Sequence, residues 1–169
     1  MKTVVKFSVL GFVGLMGCVP VQEIEISSEF SATEAAIINK PGSGVLNGEA
    51  FLKRRDGQVV TCAGEMANLV PATSYAVERI TAIYGSPNGG YRPALGANYD
   101  DGADEYQEMI RQVRCDSEGR FTFKGVASGT YYISTSVLWQ VSDYYYEGGV
   151  LAQRVKIEDG KMIDVVLSS

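Results

Sequence analysis

Alternating residue types between positions 130 and 139 constrain the fold of this chain more than any other feature of its sequence. Successive side chains of a β-strand point to opposite faces, so sustained alternation predicts a long strand with one face in a core. The predicted inner face carries Tyr131, Ile133, Val137 and Trp139, and the predicted outer face carries Tyr132, Ser134 and Ser136. The inner face requires a second layer of structure to cover it.

Shorter β-prone runs, with turn residues between them, fill most of the chain after residue 44. The predicted strands lie at 45–53, 58–62, 67–70, 105–115, 120–124, 130–139, 150–157 and 162–167. Asp56-Gly57 and Asp159-Gly160 are hairpin signals, and the second predicts that 150–157 pairs with 162–167 in a closing hairpin. This pattern predicts an all-β protein, an antiparallel β-sandwich of seven to eight strands.

One short helix and one irregular segment form an insertion among these strands. Thr73 or Ser74 can cap a helix over 73–84. Its apolar face would carry Val77, Ile80, Ile83 and Tyr84. Residues 85–104 are rich in Gly, Pro, Asn, Asp and Tyr and are predicted to form an irregular loop, which at this length is usually functional or disordered.

The first 18 residues resemble an export signal followed by a lipid-attachment site. Lys2 and Lys6 precede an apolar run of about a dozen residues, the arrangement of a secretory signal peptide. The run is shorter than the roughly 20 residues that span a bilayer. Residues 15–18, Leu-Met-Gly-Cys, resemble the lipobox of bacterial lipoproteins, in which the cysteine is lipidated. A signal peptide that is simply cleaved, with Cys18 incidental, is the alternative.

This interpretation divides the chain into a signal peptide (1–17), a lipidated N-terminus with a flexible tether (18–43) and a β-sandwich domain (44–169). Several acyl chains on Cys18 would hold the protein stably on a membrane of the bacterial cell envelope. The next residue is Val19 rather than Asp, which by resemblance to enteric sorting rules favours the outer membrane.

The chain has three cysteines, and lipidation of Cys18 would leave an even number for pairing. Cys62 and Cys115 would then lie in an oxidising compartment, where a disulfide is the expected state. Such a bridge closes a loop of about 54 residues and, by the chain-entropy relation, stabilises the domain by about 4 kcal/mol. A metal site is the competing interpretation, and it fails because two cysteines without histidine cannot supply four ligands.

A resemblance to a known family rests on two neighbouring motifs. Residues 116–123 read Asp-Ser-Glu-Gly-Arg-Phe-Thr-Phe, and residues 129–133 read Gly-Thr-Tyr-Tyr-Ile. They are similar to the Asp-x-x-Gly-x-Phe-x-Phe and Gly-x-Tyr-x-hydrophobic pattern of the carboxypeptidase regulatory-like family. The similarity spans roughly 45–167, apart from the insertion at 73–104. It implies a transthyretin-like (prealbumin), Ig-like β-sandwich, and the motif residues are fold residues rather than site residues.

Composition disfavours catalysis and nucleic-acid binding. The chain has no histidine, so the commonest general base and the Ser-His-Asp and Cys-His arrangements are absent. Hydroxyisourate hydrolases and intradiol dioxygenases, which share this fold or a related sandwich, use active-site histidines. The formal net charge of -5 argues against nucleic acid as a partner. We expect a protein that is not an enzyme and needs no cofactor.

An acidic stretch within the insertion is a weak candidate for a metal site. Asp100, Asp101 and Asp104 surround Gly102 and offer oxygen ligands suited to Ca²⁺. The spacing does not match an EF-hand loop. A solvated acidic loop is the alternative interpretation.

An aromatic patch is the main candidate for a recognition site. It consists of Trp139, Tyr144, Tyr145 and Tyr146, on a predicted loop beside Gly148-Gly149. Exposed aromatic side chains on a loop favour recognition of a glycan or a protein surface. In the alternative, Trp139 packs in the core and the tyrosines cover the end of the sandwich. The insertion's Tyr84, Tyr91 and Tyr99 would join the patch if the two loops meet.

Three functional hypotheses follow. The favoured one is a non-catalytic cell-envelope lipoprotein that serves as a structural or protein-interaction module. Its partner would be another envelope protein, in a membrane-anchored assembly such as a secretion apparatus. The second is a carbohydrate-binding surface lipoprotein that uses the Tyr- and Trp-rich loops. The third, an enzyme of unknown class, is disfavoured by the absence of histidine.

Overall fold

Two β-sheets pack face to face in the computed structural model, which describes residues 21–22, 25–94, 98–99 and 102–169. The strands are β1 (Val21–Gln22), β2 (Gly44–Lys53), β3 (Val59–Thr61), β4 (Met66–Pro71), β5 (Gly89–Pro93), β6 (Asn98–Tyr99), β7 (Arg111–Arg114), β8 (Arg120–Val126), β9 (Gly129–Ser142), β10 (Tyr145–Ile157) and β11 (Met162–Leu167). The helices are α1 (Ala32–Ala35), a 3-10 helix (Ala36–Asn39), α2 (Ser74–Tyr84) and α3 (Asp104–Glu108). The signal-peptide segment 1–17 and Cys18 lie outside the described residues.

The larger sheet has the strand order β5-β10-β9-β4-β7, and all its pairs are antiparallel. In the smaller sheet β2 is central: β11 pairs with it in parallel, β8 pairs with residues 44–49, and β3 pairs with residues 51–53. β1 and β6 form a separate parallel pair. The predicted all-β sandwich is confirmed, with one parallel pair in the smaller sheet.

Alternate residues of β9 build the layer between the sheets. Tyr131, Ile133 and Val137 are fully buried, as the alternation predicts, and pack in one cluster with Phe123 of the smaller sheet. The Tyr131 hydroxyl donates a hydrogen bond to the carbonyl oxygen of Ala127 at 2.9 Å. This bond satisfies the polar end of a buried ring. Each such apolar side chain contributes about 1.5–3 kcal/mol on burial.

A disulfide links the two sheets. Cys62 directly follows β3 of the smaller sheet, and Cys115 directly follows β7 of the larger one. The bond joins residues 53 positions apart whose Cα atoms are separated by 5.9 Å, and both side chains are buried. The predicted pairing is confirmed.

Helix α2 covers the outer face of the larger sheet. The Thr73 hydroxyl accepts the Ala76 N–H at 3.1 Å, and Gly85, with φ of 71°, ends the helix. Ala76 and Ile80 pack against Tyr132 in a second core. The predicted helix is confirmed. Within the described part of the chain, no helix combines the length and the apolar character needed to cross a membrane.

Part of the segment predicted as a tether packs on this helix. The backbone N–H groups of Ser27 and Ser28 donate to the Glu78 carboxylate at 2.8 and 2.9 Å. These hydrogen bonds, led by that from the Ser27 backbone, lower the pKa of Glu78 to about 2. Phe30 contacts Tyr75 edge to face, with ring centroids 5.9 Å apart. Contacts with the domain thus begin well before residue 44, the predicted domain start.

The insertion contains regular structure that the sequence did not predict. β5 lies in the segment predicted to be irregular and adds a strand to the larger sheet. The two strands approach so closely at Gly149 that a Cβ there would lie 2.1 Å from the carbonyl oxygen of Arg92. The pairing therefore requires glycine at this position. The predicted strand 105–115 is also corrected: its first part is α3, and only Arg111–Arg114 is extended. α3 buries Tyr106 against Tyr75, a tertiary contact that overrides local propensity.

The predicted closing hairpin is corrected too. The turn itself forms, since the Lys161 N–H donates to the Glu158 carbonyl at 3.1 Å and the two side chains form an ion pair at 2.6 Å. β11 then crosses to the smaller sheet, where Val165 and Leu167 are buried. A turn sequence fixes the reversal of the chain but not the sheet that the next strand joins.

Candidate functional site

The long strands of the larger sheet continue past the core and leave an open groove at one end of the sandwich. β9 and β10 have 14 and 13 residues, whereas β2, the longest strand of the smaller sheet, has 10. The inner face of β9 passes from buried Val137 to half-buried Trp139. A cavity of about 430 Å³ lies there, bounded by the β2–β3 turn, by β5 and by the β9–β10 hairpin.

Gly148 lines this groove between two aromatic side chains. Its φ is +104°, and a Cβ at this position would lie 2.1 Å from the carbonyl oxygen of Val137 and 3.0 Å from Cζ3 of Trp139. The Tyr91 hydroxyl donates to the Gly148 carbonyl oxygen at 2.9 Å, and Tyr91 is 40% exposed. A side chain at this position has no room, so the close approach of β10 to Val137 and to the Trp139 ring requires glycine.

Polar neighbours fix the position of the Trp139 indole. Trp139 and Glu147 are opposite residues of β9 and β10, and the indole N–H donates to the Glu147 carboxylate at 3.3 Å. The Arg54 guanidinium lies 5.8 Å from the ring centroid, within cation–π range. Asp56 at 3.4 Å and Gln58 at 3.1 Å hold Arg54 in place. A ring held in this way loses little freedom when a ligand binds.

The structure divides the predicted aromatic patch between two surfaces. Trp139 and Tyr145 line the groove. Tyr144, at the hairpin turn, is 98% exposed, and Tyr146 is 51% exposed and does not line the groove. The predicted loop location is corrected for Tyr145 and Tyr146, which belong to β10, where neighbouring side chains alternate between faces.

Among the tyrosines of the insertion, Tyr91 reaches the groove because β5 pairs with β10. Tyr84, at the end of α2, instead lines a separate cavity of about 270 Å³ with Tyr106. Burial raises the pKa of Tyr84 to about 12. Of Tyr99 only the backbone is described.

The end of β2 and the turn that follows it complete the groove, and these residues were not singled out from the sequence. Lys53 of β2 and Arg54, Arg55 and Asp56 of the turn all line the groove. In the sequence they precede or belong to the Asp56-Gly57 hairpin signal. The run of three consecutive cations before it is the feature that could have indicated a binding surface here.

The calcium hypothesis receives no support from the residues that the structure describes. Asp100 and Asp101 lie outside them, and Asp104 begins α3. Among the described side chains, no group of three Cys, Asp or Glu residues is placed to hold a metal ion.

A larger cavity, of about 670 Å³, lies along the outer face of the smaller sheet. Its polar groups are largely bonded to one another: Asn47 donates to Asp164 and accepts from Thr122, each at 3.1 Å. Hydrogen bonds from Arg120, the backbone N–H foremost, lower the pKa of Asp116. Among the described residues, Phe121 is the one aromatic residue that lines this cavity, whereas Tyr91, Trp139 and Tyr145 line the groove, so the groove is the stronger candidate for recognition despite its smaller volume.

The protein is thus an all-β sandwich that carries an aromatic groove at one end. No protein-family model matches the chain, and no curated protein sequence gives a significant match. It is similar to a crystal structure from Pseudomonas aeruginosa of a protein provisionally assigned to carbohydrate binding. That match has a TM-score of 0.68 and 27% identity, and covers 84% of this chain and 99% of that one. A minor pilin of Streptococcus agalactiae matches with a TM-score of 0.39 and 16% identity, over 76% of this chain and 44% of that one.

Proposed function

We propose that this protein binds carbohydrate in the groove lined by Tyr91, Trp139 and Tyr145, and that it does so without catalysis. The observation that carries the proposal is the cavity of about 430 Å³ that Tyr91, Trp139 and Tyr145 line, with polar groups at the edges of two of these rings. A sugar ring has apolar C–H faces and a polar rim of hydroxyls. Aromatic faces complement the first, and a few fixed polar groups orient the second.

Two considerations rank this function above a general protein-interaction role. The groove is concave, as small-molecule sites usually are, and hydrogen bonds hold the side chains of Tyr91 and Trp139 in it. The similar Pseudomonas aeruginosa structure is assigned, provisionally, to carbohydrate binding, and the match spans nearly all of that chain. The hypothesis ranked second from the sequence is therefore preferred.

Adjacent tyrosines of β10 provide a matched test. Tyr145 lines the groove, whereas Tyr146 is exposed outside it. We expect Tyr145→Ala to weaken glycan binding about tenfold, which corresponds to about 1.4 kcal/mol, the loss typical of a buried aromatic anchor. Tyr146→Ala should bind as the wild type does. Binding to hits from a glycan array would be measured by calorimetry, and equal affinity for both variants would refute the groove as the site.

We also propose that the protein is an exported lipoprotein attached to the cell envelope, with the outer membrane as its location. The support is the sequence alone: the apolar run after Lys6 and the Leu-Met-Gly-Cys motif ending at Cys18. Cys18→Ser should move the protein from the membrane fraction to the soluble fraction. Retention of the variant in the membrane fraction would contradict lipid anchoring.

The finer family assignment, to the carboxypeptidase regulatory-like sandwiches, is likewise a proposal. Its support is that Phe121 and Phe123 of the motif are both buried and that Gly119 adopts a φ of +79° in the turn before them. A Cβ at Gly119 would lie 2.5 Å from Thr61. The two phenylalanines therefore point into the core and the glycine forms the tight turn, as the family motif requires.

A protein partner is the second candidate function, and one surface favours it. The β9–β10 hairpin exposes four large apolar side chains, which we call the hairpin tip: Leu138, Val141, Tyr144 and Tyr146. Several exposed large apolar side chains on one hairpin favour a protein contact. A stoichiometric envelope partner that is lost with Tyr144→Ser/Tyr146→Ser, while glycan binding persists, would establish this role.

A further inference from the structure

The groove differs in charge from the chain as a whole. Lys53, Arg54 and Arg55 follow one another along its rim, although the formal net charge of the chain is -5. The groove is also lined by two acids, Asp56 and Glu147. Positive charge therefore predominates at this site in an otherwise acidic protein.

Both acids already have partners inside the groove. Asp56 accepts the backbone N–H of Gln58 at 3.0 Å and pairs with Arg54 at 3.4 Å. Glu147 accepts the indole N–H of Trp139 at 3.3 Å. Asp56 thus neutralises Arg54, and the two remaining cations outnumber the one remaining acid.

Those two cations, Lys53 and Arg55, have exposed side chains. Within the described part of the chain, neither side chain has an ion pair or a hydrogen bond. Some exposed cations elsewhere are paired, Arg120 with Asp116 and Lys161 with Glu158. The side chains of Lys40 and Lys124 are uncommitted among the described residues, but they lie away from the groove. Two uncommitted cations beside a fixed aromatic ring can pair with anionic groups while the ring receives an apolar face.

We infer that the groove takes an acidic glycan, whose carboxylate or sulfate groups pair with Lys53 and Arg55 while a sugar ring contacts Trp139 and Tyr145. This inference rests on the proposed function and names its ligand class. An exposed ion pair contributes a factor of about two to five in affinity. The two pairs together therefore contribute about 4- to 25-fold, and added salt weakens them because both are exposed.

Matched polymers and matched charge variants test the inference. The polymers are polygalacturonate against its carboxyl-reduced form, and dextran sulfate against dextran, measured by affinity electrophoresis at low and high salt. The test variant is Lys53→Gln/Arg55→Gln. The control, Lys40→Gln/Lys124→Gln, changes the net charge equally at two exposed positions that do not line the groove.

We expect an acidic polymer to bind more tightly than its neutral counterpart, the test variant to lose about 4- to 25-fold in affinity, and the control to lose little. If the acidic polymer is preferred only in the polygalacturonate pair, the groove recognises carboxylate. If it is preferred only in the dextran sulfate pair, the groove recognises sulfate. If neutral and acidic polymers bind equally well and Tyr145→Ala weakens both, the inference of an acidic ligand is overturned and the proposed function stands. Equal losses of affinity in the test and control variants also overturn this inference. Absence of binding across a broad glycan array overturns both proposals.

Discussion

Removing the disulfide should cost a large share of the stability of the domain. The bridge joins residues 53 positions apart, and the chain-entropy relation for this loop gives about 14 cal/mol/K, or about 4 kcal/mol at 25 °C. Both cysteines are buried in the main core, so Cys62→Ala/Cys115→Ala also loses sulfur packing, which adds about 1–2 kcal/mol. The total, about 5–6 kcal/mol, is comparable with the whole stability of many domains.

Urea denaturation with and without reductant separates the two contributions. Every protein compared carries Cys18→Ser, so that no third thiol takes part in exchange. Reduction of the otherwise unaltered chain should lower the free energy of unfolding by about 4 kcal/mol, and the double alanine variant should lose about 1–2 kcal/mol more. In thermal scans the double variant should melt about 10–20 °C lower. A reductant effect below about 1 kcal/mol would refute the argument that the bridge acts by restricting the unfolded chain.

Three further predictions concern the groove, the N-terminal segment and helix α2. Gly148→Ala should destabilise the domain in urea by about 2–4 kcal/mol, because its positive φ and the carbonyl of Val137 exclude a Cβ; a loss under about 0.5 kcal/mol would contradict this. The pKa of Glu78 is lowered to about 2, so its contribution to docking residues 27–28 is complete above pH 4.5 and is lost as the pH falls toward 2. Hydrogen-exchange protection of the Ser27 amide should fall over that range, and Glu78→Gln should remove this pH dependence; an identical profile in both proteins would argue against it. Thr73→Ala should cost about 1 kcal/mol in urea through the lost helix cap, and no change would show that the cap is dispensable.

The candidate site was only partly predictable from the sequence. Trp139 and Tyr145 stood out because aromatic residues are dense near the β9–β10 turn, and both line the groove. Tyr144 and Tyr146 belonged to the same cluster but lie outside the groove, because side chains in an extended strand alternate and the turn points away. Tyr91 was placed in the groove only conditionally, because the pairing of β5 with β10 depends on close backbone approach at Gly149, which no local pattern signals.

The sequence by itself determined the local features. Alternation fixed the inner face of β9, Thr73 and Gly85 fixed the ends of α2, and cysteine number together with the inferred export predicted the bridge between Cys62 and Cys115. The strand face and the helix ends depend on residues that are neighbours in the sequence, and the disulfide was predicted from the number of cysteines.

Only the tertiary structure decided which sheet each strand joins and what the groove contains. β11 follows a well-predicted turn yet pairs in parallel with β2, and the groove draws on three segments far apart in the chain. Both outcomes depend on burying apolar faces between layers and on backbone approach at glycine, and these are set by contacts between distant residues.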